Sequence, residues 1–237
     1  VSQTFLSVVI PAYNEAGRIS DTLKQVVDFL GTRDYSWEVV VADDGSTDDT
    51  ASQVMEWARR EARVRLVSMP HGGKGWAVKH GMLAAQGRYR FMCDADLSMP
   101  IEQVERFLPP RLEEGYHIAI GSREAPGSRR IGEPPLRRLM GKTFGLIVRL
   151  SLLPGIRDSQ CGFKCLEAEA AASLFSGLRL SGFSFDVELL VLARRRGLRL
   201  VEVPIDWYHR PQSKVHPLRD AARMLADVVR LRLHPPR

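Results

Sequence analysis

A chain of 237 residues with 26% charged and 44% hydrophobic side chains can bury a sizeable core, and it reads as an ordinary globular protein rather than a disordered or membrane-spanning one. Its net charge of +6 favours anionic partners such as nucleotides or phospholipid surfaces. Cys93, Cys161 and Cys165 form no C-x-x-C pair and fit a reducing compartment, and the six histidines show no metal-ligand spacing. The longest nearly apolar run, Phe144 to Leu153, is interrupted by Arg149 and falls short of the ~20 residues a membrane span needs. No amino-terminal signal pattern is evident.

In chain order, Phe5 to Ile10 reads as a strand broken by Pro11-Ala12-Tyr13-Asn14-Glu15. A helix is expected from about Glu15 to Leu30, with Ile19, Leu23, Val26, Val27 and Leu30 on one face. Trp37 to Ala42 is a second buried strand, stopped by the turn-forming run Asp43-Asp44-Gly45-Ser46-Thr47-Asp48 and followed by a helix to about Glu61. Val64 to Ser68 is a third strand, and the loop His71-Gly72-Gly73-Lys74-Gly75 opens a helix through Ala85. Tyr89 to Cys93 is an apolar strand that runs into Asp94-Ala95-Asp96. Side chains two apart on an extended chain share a face, so the two carboxylates are expected to converge beyond the strand's carboxyl end. Paired carboxylates there suit Mg²⁺ or Mn²⁺ completed by substrate phosphates, whereas the bland reading is that these acids and Ser98 cap a helix over Pro100 to Leu112.

The strand–helix alternation predicts an α/β fold, a mostly parallel sheet with helices on both faces and its polar loops along one edge. The second half is less regular. His117 to Gly121 is a strand ending at Ser122-Arg123, and 124–135 is a long Gly/Pro/Arg-rich loop. A basic, apolar helix follows from Leu136 to Leu152. Beyond Arg157 to Lys164, short helices are expected from Glu167 and from Phe185, with a strand at Leu200 to Val203. A polar loop at Trp207 to Lys214 and a closing helix from Pro217 complete the chain. With no linker between the halves, residues 1–237 are expected to form one domain, in which 1–115 binds a nucleotide sugar and 116–237 an acceptor.

Two phosphate-binding patterns are excluded. No G-x-G-x-x-G triplet is present, and Gly73-Lys74 is followed by Gly75 instead of a hydroxyl residue, with Ser68 where a P-loop needs its first glycine. Several acidic loops and convergent basic residues on one edge leave a metal-held nucleoside diphosphate as the expected ligand, with Asp43 or Asp44 on the base or ribose.

The ordered stretches Val9 to Glu15, Val40 to Asp48, Gly73-Lys74-Gly75 and Asp94-Ala95-Asp96 resemble inverting family 2 glycosyltransferases of the GT-A fold, the nucleotide-diphospho-sugar transferase fold. Gly121-Ser122-Arg123, Arg157 to Lys164 and Phe185 to Leu190 are similar to the polyprenyl-phosphate sugar synthases, glucosyltransferases first and mannose synthases second. The resemblance implies that Pro11, Ala12, Tyr13, Glu15, Asp43, Asp44, Lys74, Ala95 and Gln160 bind the nucleotide sugar, with Asp94 and Asp96 at the metal and pyrophosphate. Catalytic roles fall to Asp94, Asp96, Arg123, Asp186 and Glu188, the last two orienting the sugar or merely capping a helix. Arg123, Arg137, Arg138, Arg210, Ser213 and Lys214 are implied for the acceptor phosphate, although Pro211-Gln212 replaces a glycine often found before Ser-Lys.

Such an enzyme would move glucose from UDP-glucose, or mannose from GDP-mannose, to a polyprenyl or dolichyl phosphate. It would sit peripherally on the cytoplasmic face of a membrane, with 135–152 as an interfacial helix, and a membrane-anchoring partner or a homo-oligomer could assist it. In the closing helix, core packing is the stronger expectation. Rival readings are transfer to a saccharide hydroxyl, against which the absence of Q-x-x-R-W counts, and a non-catalytic nucleotide-sugar or nucleic-acid binder. No nucleic-acid partner is expected, since aromatic and basic residues do not interleave.

Overall fold

A computed structural model describes residues 4–210 and 217–236. The first half follows the alternation read from the sequence. Strand β1 (Leu6–Ala12), helix α1 (Ile19–Gly31), β2 (Trp37–Asp43), α2 (Thr50–Arg60), β3 (Val64–Ser68), α3 (Lys74–Ala84) and β4 (Tyr89–Met92) succeed one another. Parallel pairing of β1 with β2 and β4, and of β2 with β3, brings their carboxyl ends to one edge. Both faces of these strands are covered by helices, which is why they read as continuous apolar runs instead of alternating ones. Helix α1 buries Ile19, Leu23, Val26 and Leu30 completely, a stripe at helical spacing. It starts at Ile19 instead of Glu15, because Asn14, Glu15 and Ala16 are occupied in a loop that docks on the 46–50 turn.

The second half holds most of the departures from the sequence reading. Residues 101–107 form a 3₁₀ helix rather than an α-helix to Leu112. After β5 (Ile118–Ser122), the long loop contains a short strand, β6 (Arg129–Ile131), before α4 (Pro135–Ser151). Strand β7 (Lys164–Glu167) was not anticipated, and it enters the sheet antiparallel between β4 and β5. Helices α5 (Ala168–Gly177) and α6 (Phe185–Arg195) lead to β8 (Leu200–Pro204), parallel to β5. The polar loop expected from Trp207 begins inside β9 (Asp206–Tyr208), which pairs with β6 as a separate small sheet. Helix α7 (Pro217–Leu233) closes the fold. The main sheet runs β3-β2-β1-β4-β7-β5-β8. Chain direction of travel reverses between β1 and β4, the kind of crevice where open α/β sheets bind ligands.

Candidate active site

Three strand ends meet at that crevice. From β1, Pro11 and Ala12 lead to Tyr13, whose ring stacks on His71 at a centroid distance of 4.3 Å. From β2 come Asp43 and Asp44, both buried, and they do different work. Asp44 accepts the backbone N–H of Gly72 (2.8 Å) and Gly73 (2.9 Å) and lies 2.8 Å from His71 Nδ1, so it fastens the loop ahead of α3. Asp43 Oδ2 accepts a long bond from the Ser46 N–H (3.4 Å), while its buried Oδ1 has no partner. A buried acceptor without a donor costs free energy, which makes Asp43 Oδ1 an available partner for a ligand N–H or O–H.

The loop that Asp44 holds presents Lys74. Gly73 adopts φ +106°, and a Cβ there would stand 2.7 Å from the Ser181 carbonyl oxygen. Both the conformation and the space therefore require glycine. That same carbonyl accepts the N–H groups of Gly75 (2.7 Å) and Trp76 (3.2 Å), fixing the first turn of α3. Lys74 Nζ lies 2.7 Å from Asp94 Oδ1. Burial works against its charge, but Asp94 and Asp186 outweigh burial and push the pKa up to about 12.

Beyond β4 the chain turns at Ala95-Asp96 and Leu97 takes φ +44°, so Asp94 and Asp96 are not on an extended segment as expected. They converge through the turn instead. The Leu97 N–H donates to the Asp94 carbonyl (3.1 Å), Asp96 Oδ1 accepts the Ser98 N–H (2.9 Å), and both carboxylates act on Lys74. Thr22 of α1 clamps the turn by donating to the Ala95 carbonyl at 2.6 Å. Gly162 closes the other side. A Cβ at that position would stand 2.2 Å from Asp94 Oδ2, so any larger residue would push this carboxylate out of its place. Asp94 and Asp96 remain half-buried and reachable, and no group of three or more candidate metal-ligating side chains occurs among the described residues. Two carboxylates fit an ion that takes its other ligands from phosphate and water.

The remaining candidates are distributed as follows. Glu15 pairs with Arg18 at 2.9 Å. Gln160 is half-buried in the 157–163 loop. Arg123 makes a two-pronged pair with buried Asp158 (Nε to Oδ2 2.8 Å, Nη2 to Oδ1 2.9 Å), and its backbone N–H also donates to Oδ2 (2.9 Å). Burial would raise the Asp158 pKa, but the Arg123 charge and hydrogen bonds outweigh it and bring the value down to about 2. Arg123 is thus largely engaged by its own fold. Glu188 is buried and accepts the N–H groups of Arg179 (3.0 Å) and Leu180 (2.7 Å), which supports the loop carrying Ser181. Asp186 is buried and receives Lys164 Nζ. Arg137 and Arg138 are exposed on α4, and Arg210 is exposed just after β9. Ser213 and Lys214 lie outside the described residues.

Sequence reasoning missed the roles of Thr22, His71, Asp158, Gly162 and Lys164. The last three sit inside the Arg157–Lys164 stretch quoted above, but nothing local signals that they bear on Arg123, Asp94 and Asp186.

The sheet order and the acidic edge at its switch point define a GT-A fold, and solved structures that resemble the chain include glucosyl- and mannosyl-3-phosphoglycerate synthases. Residues 7–175 match Glycosyl transferase family 2, and the chain belongs to that family. It is 34% identical over 245 residues to a dolichyl-phosphate beta-glucosyltransferase of Trichomonas vaginalis, covering 98% of this chain and 72% of that protein. It is 33% identical over 250 residues to the dolichyl-phosphate beta-glucosyltransferase of Saccharomyces cerevisiae, covering 98% and 75%. Among solved structures, it resembles the Mycobacterium tuberculosis glucosyl-3-phosphoglycerate synthase crystallised with Mn²⁺, UDP and glucosyl-3-phosphoglycerate. The TM-score is 0.67 and the identity 23%, over 96% of this chain and 78% of that one.

Proposed function

We propose that the protein transfers glucose from UDP-glucose to a polyprenyl phosphate of the dolichyl type with inversion at the anomeric carbon. The observation that carries the reading is the meeting of an unpartnered buried Asp43 Oδ1, Lys74 and the Asp94/Asp96 pair at one crevice, in a chain matched over nearly its whole length by relatives named dolichyl-phosphate beta-glucosyltransferase. Asp43 offers its free oxygen to the nucleoside, beside the Tyr13–His71 ring stack. Lys74 offers its ammonium to the diphosphate, and Ala95 lines the floor between the two carboxylates. Asp94 and Asp96 would hold Mg²⁺ or Mn²⁺, whose charge would stabilise the leaving diphosphate.

The acceptor explains why no general base is required. A phosphate monoester has a second pKa near ~6, so it arrives at pH 7 mostly as a dianion that is already nucleophilic. One of its oxygens bonds to the anomeric carbon from the face opposite UDP. The bond from that carbon to the β-phosphate oxygen breaks, and UDP departs with the electron pair. An α-linked donor gives a β-linked product. The protein's contribution is alignment and fixed positive charge. On the acceptor side that charge falls to exposed Arg210, to Arg137 and Arg138, and to whatever share of Arg123 remains outside its pair with Asp158.

A peripheral position on the cytoplasmic face of a membrane follows from the same reading. No helix among the described residues is long and apolar enough to cross a membrane. Helix α4 nevertheless leaves Leu136 (70%), Leu139 (63%) and Leu150 (75%) exposed among Arg137, Arg138, Lys142 and Arg149, and it carries no acidic residue. That combination suits an anionic lipid interface. Helix α7 also exposes Leu225, Val229 and Leu233 while burying Val228 and Leu231, so the core packing expected of it is only part of its surface.

Release of the nucleoside diphosphate, UDP from UDP-glucose and GDP from GDP-mannose, each measured with and without polyprenyl phosphate, tests the proposal. Release from UDP-glucose that depends on the lipid is expected. Lipid-dependent turnover only with GDP-mannose would transfer the assignment to mannose. Turnover with a saccharide acceptor alone would overturn it.

A further inference from the structure

Lys164 is the first residue of β7 and is 0% exposed. Its backbone sits between Met92 of β4 and Ile120 of β5, one strand from the Asp94 turn. Its ammonium donates to the Cys161 carbonyl and to Asp186 Oδ1, both at 2.5 Å. Burying an ammonium and a carboxylate carries a desolvation penalty that their attraction often only balances, so a pair of apolar side chains would serve packing as well. The placement of this pair is what distinguishes it. The first turn of α6 lies against that of α3, where a Cβ at Gly75 would stand 2.7 Å from Phe185 Cβ, so Asp186 and Lys74 are the residues next to that contact on either chain segment, and Lys74 Nζ also lies 2.7 Å from Asp94 Oδ1. The order of charges into the crevice is therefore Lys164, Asp186, Lys74, Asp94, alternating in sign at every step.

We propose that Lys164 is a positioning residue of the donor site, aiming the Asp186 carboxylate so that Lys74 stays directed at the diphosphate. With Asp94 alone, the Lys74 ammonium would close fully onto a carboxylate that the metal ion also needs. Asp186 draws it as well and leaves an N–H for a phosphate oxygen. The 161–164 stretch thus serves both neighbours of Lys74, since Gly162 makes room for Asp94 while Lys164 holds Asp186.

The inference rests on the proposed function only in taking a nucleoside diphosphate as the donor's binding group. Lys164→Met alone strands a buried Asp186 and is expected to lower the melting temperature. The double variant Lys164→Met/Asp186→Leu removes both charges and is expected to regain most of that loss. Asp186→Asn keeps an oxygen for Lys164 but removes the one charge that both Lys164 and Lys74 meet, so its melting temperature is expected to fall as well. In both the double variant and Asp186→Asn, the Kd for UDP by calorimetry should rise about tenfold. The kcat/KM for UDP-glucose should fall at least as much, with the KM for lipid within about twofold of the parent. Parental UDP affinity in either of these variants overturns the positioning role and leaves the glucosyltransferase reading standing. A parent chain that binds no UDP overturns both.

Discussion

Helices α1 and α4 have similar amphipathic patterns and opposite fates. The apolar stripe of α1 is buried completely at Ile19, Leu23, Val26 and Leu30, whereas α4 buries only Val148 and leaves Leu136, Leu139 and Leu150 largely in solvent. The contrast extends to the halves they belong to. In the first half, side chains of the fold itself hold the crevice: Thr22 clamps the Asp94 turn, and Asp44 fixes the loop ahead of Lys74. In the second half, apolar and basic surface is presented outward. The difference teaches that periodicity reports a helix's amphipathic face but not what covers it. One half is held by its own side chains, and the other leaves apolar and basic surface that the proposed lipid acceptor and its membrane would cover.

The sharpest way to break the comparison is to cut the same kind of residue from each helix. Leu23→Ala empties a fully buried site and should cost about 2–5 kcal/mol, lowering Tm by roughly 5–15 °C. Replacing Leu139, Met140 and Ile147 together by serine should move Tm little, because surface changes usually stay within about 0.5 kcal/mol each, while liposome binding falls. A large drop in Tm from the serine variant would mean that α4 packs on the protein.

Asp96→Asn probes the donor edge. Turnover should fall by at least ~10² with the fold intact, and chelation of divalent ions should abolish activity in the parent. Parental turnover of the variant with Mg²⁺ or Mn²⁺ present would remove Asp94/Asp96 from the metal.

Within the second half, the Arg123–Asp158 pair ties the end of β5 to the 157–163 loop. The Asp158 carboxyl ionises at about 2 in the fold against an ordinary value of 3.8. Its stabilising contribution, about 2 kcal/mol, is therefore complete above pH 4 and is lost as pH falls towards 2. Urea unfolding between pH 5 and 2 should show this acid limb, and Asp158→Asn should flatten it while lowering stability near neutrality.

The smallest effect is expected at the outer, acceptor side. Arg210→Ala should weaken the dependence on lipid phosphate by a combined ~10–100-fold in KM and kcat, since a charge-assisted hydrogen bond is worth roughly 1.5–3 kcal/mol. UDP affinity should hardly change. The opposite pattern would place the 210 loop in the donor site.

Much of the donor edge was legible because its residues follow strands that are continuous apolar runs, and strand ends in a parallel sheet share an edge. Asp94, Asp96 and one of Asp43 and Asp44 are read as ligand-facing on that ground, whereas Lys74 comes from the family resemblance. The geometry at Asp94–Asp96 was misjudged, because an extended chain was assumed where Leu97 at φ +44° marks a turn. Strands β6 and β9 are three residues each, too short for alternation to register. Strand β7 hides a buried lysine at its first position, a residue whose charge argues against a sheet interior until Asp186 is seen to meet it. Asp44 and Glu188 read as site residues and proved to hold loops, since a carboxylate that accepts backbone N–H groups looks the same in sequence as one that meets a ligand.

The central claim is tested most directly by following the sugar itself. Incubated with UDP-[¹⁴C]glucose, Mg²⁺ and liposomes containing polyprenyl phosphate, the protein should move label into the organic phase as a β-glucosyl phospholipid, one equivalent per UDP formed. UDP formed without label reaching the lipid, or label reaching only water-soluble saccharide, would contradict the account.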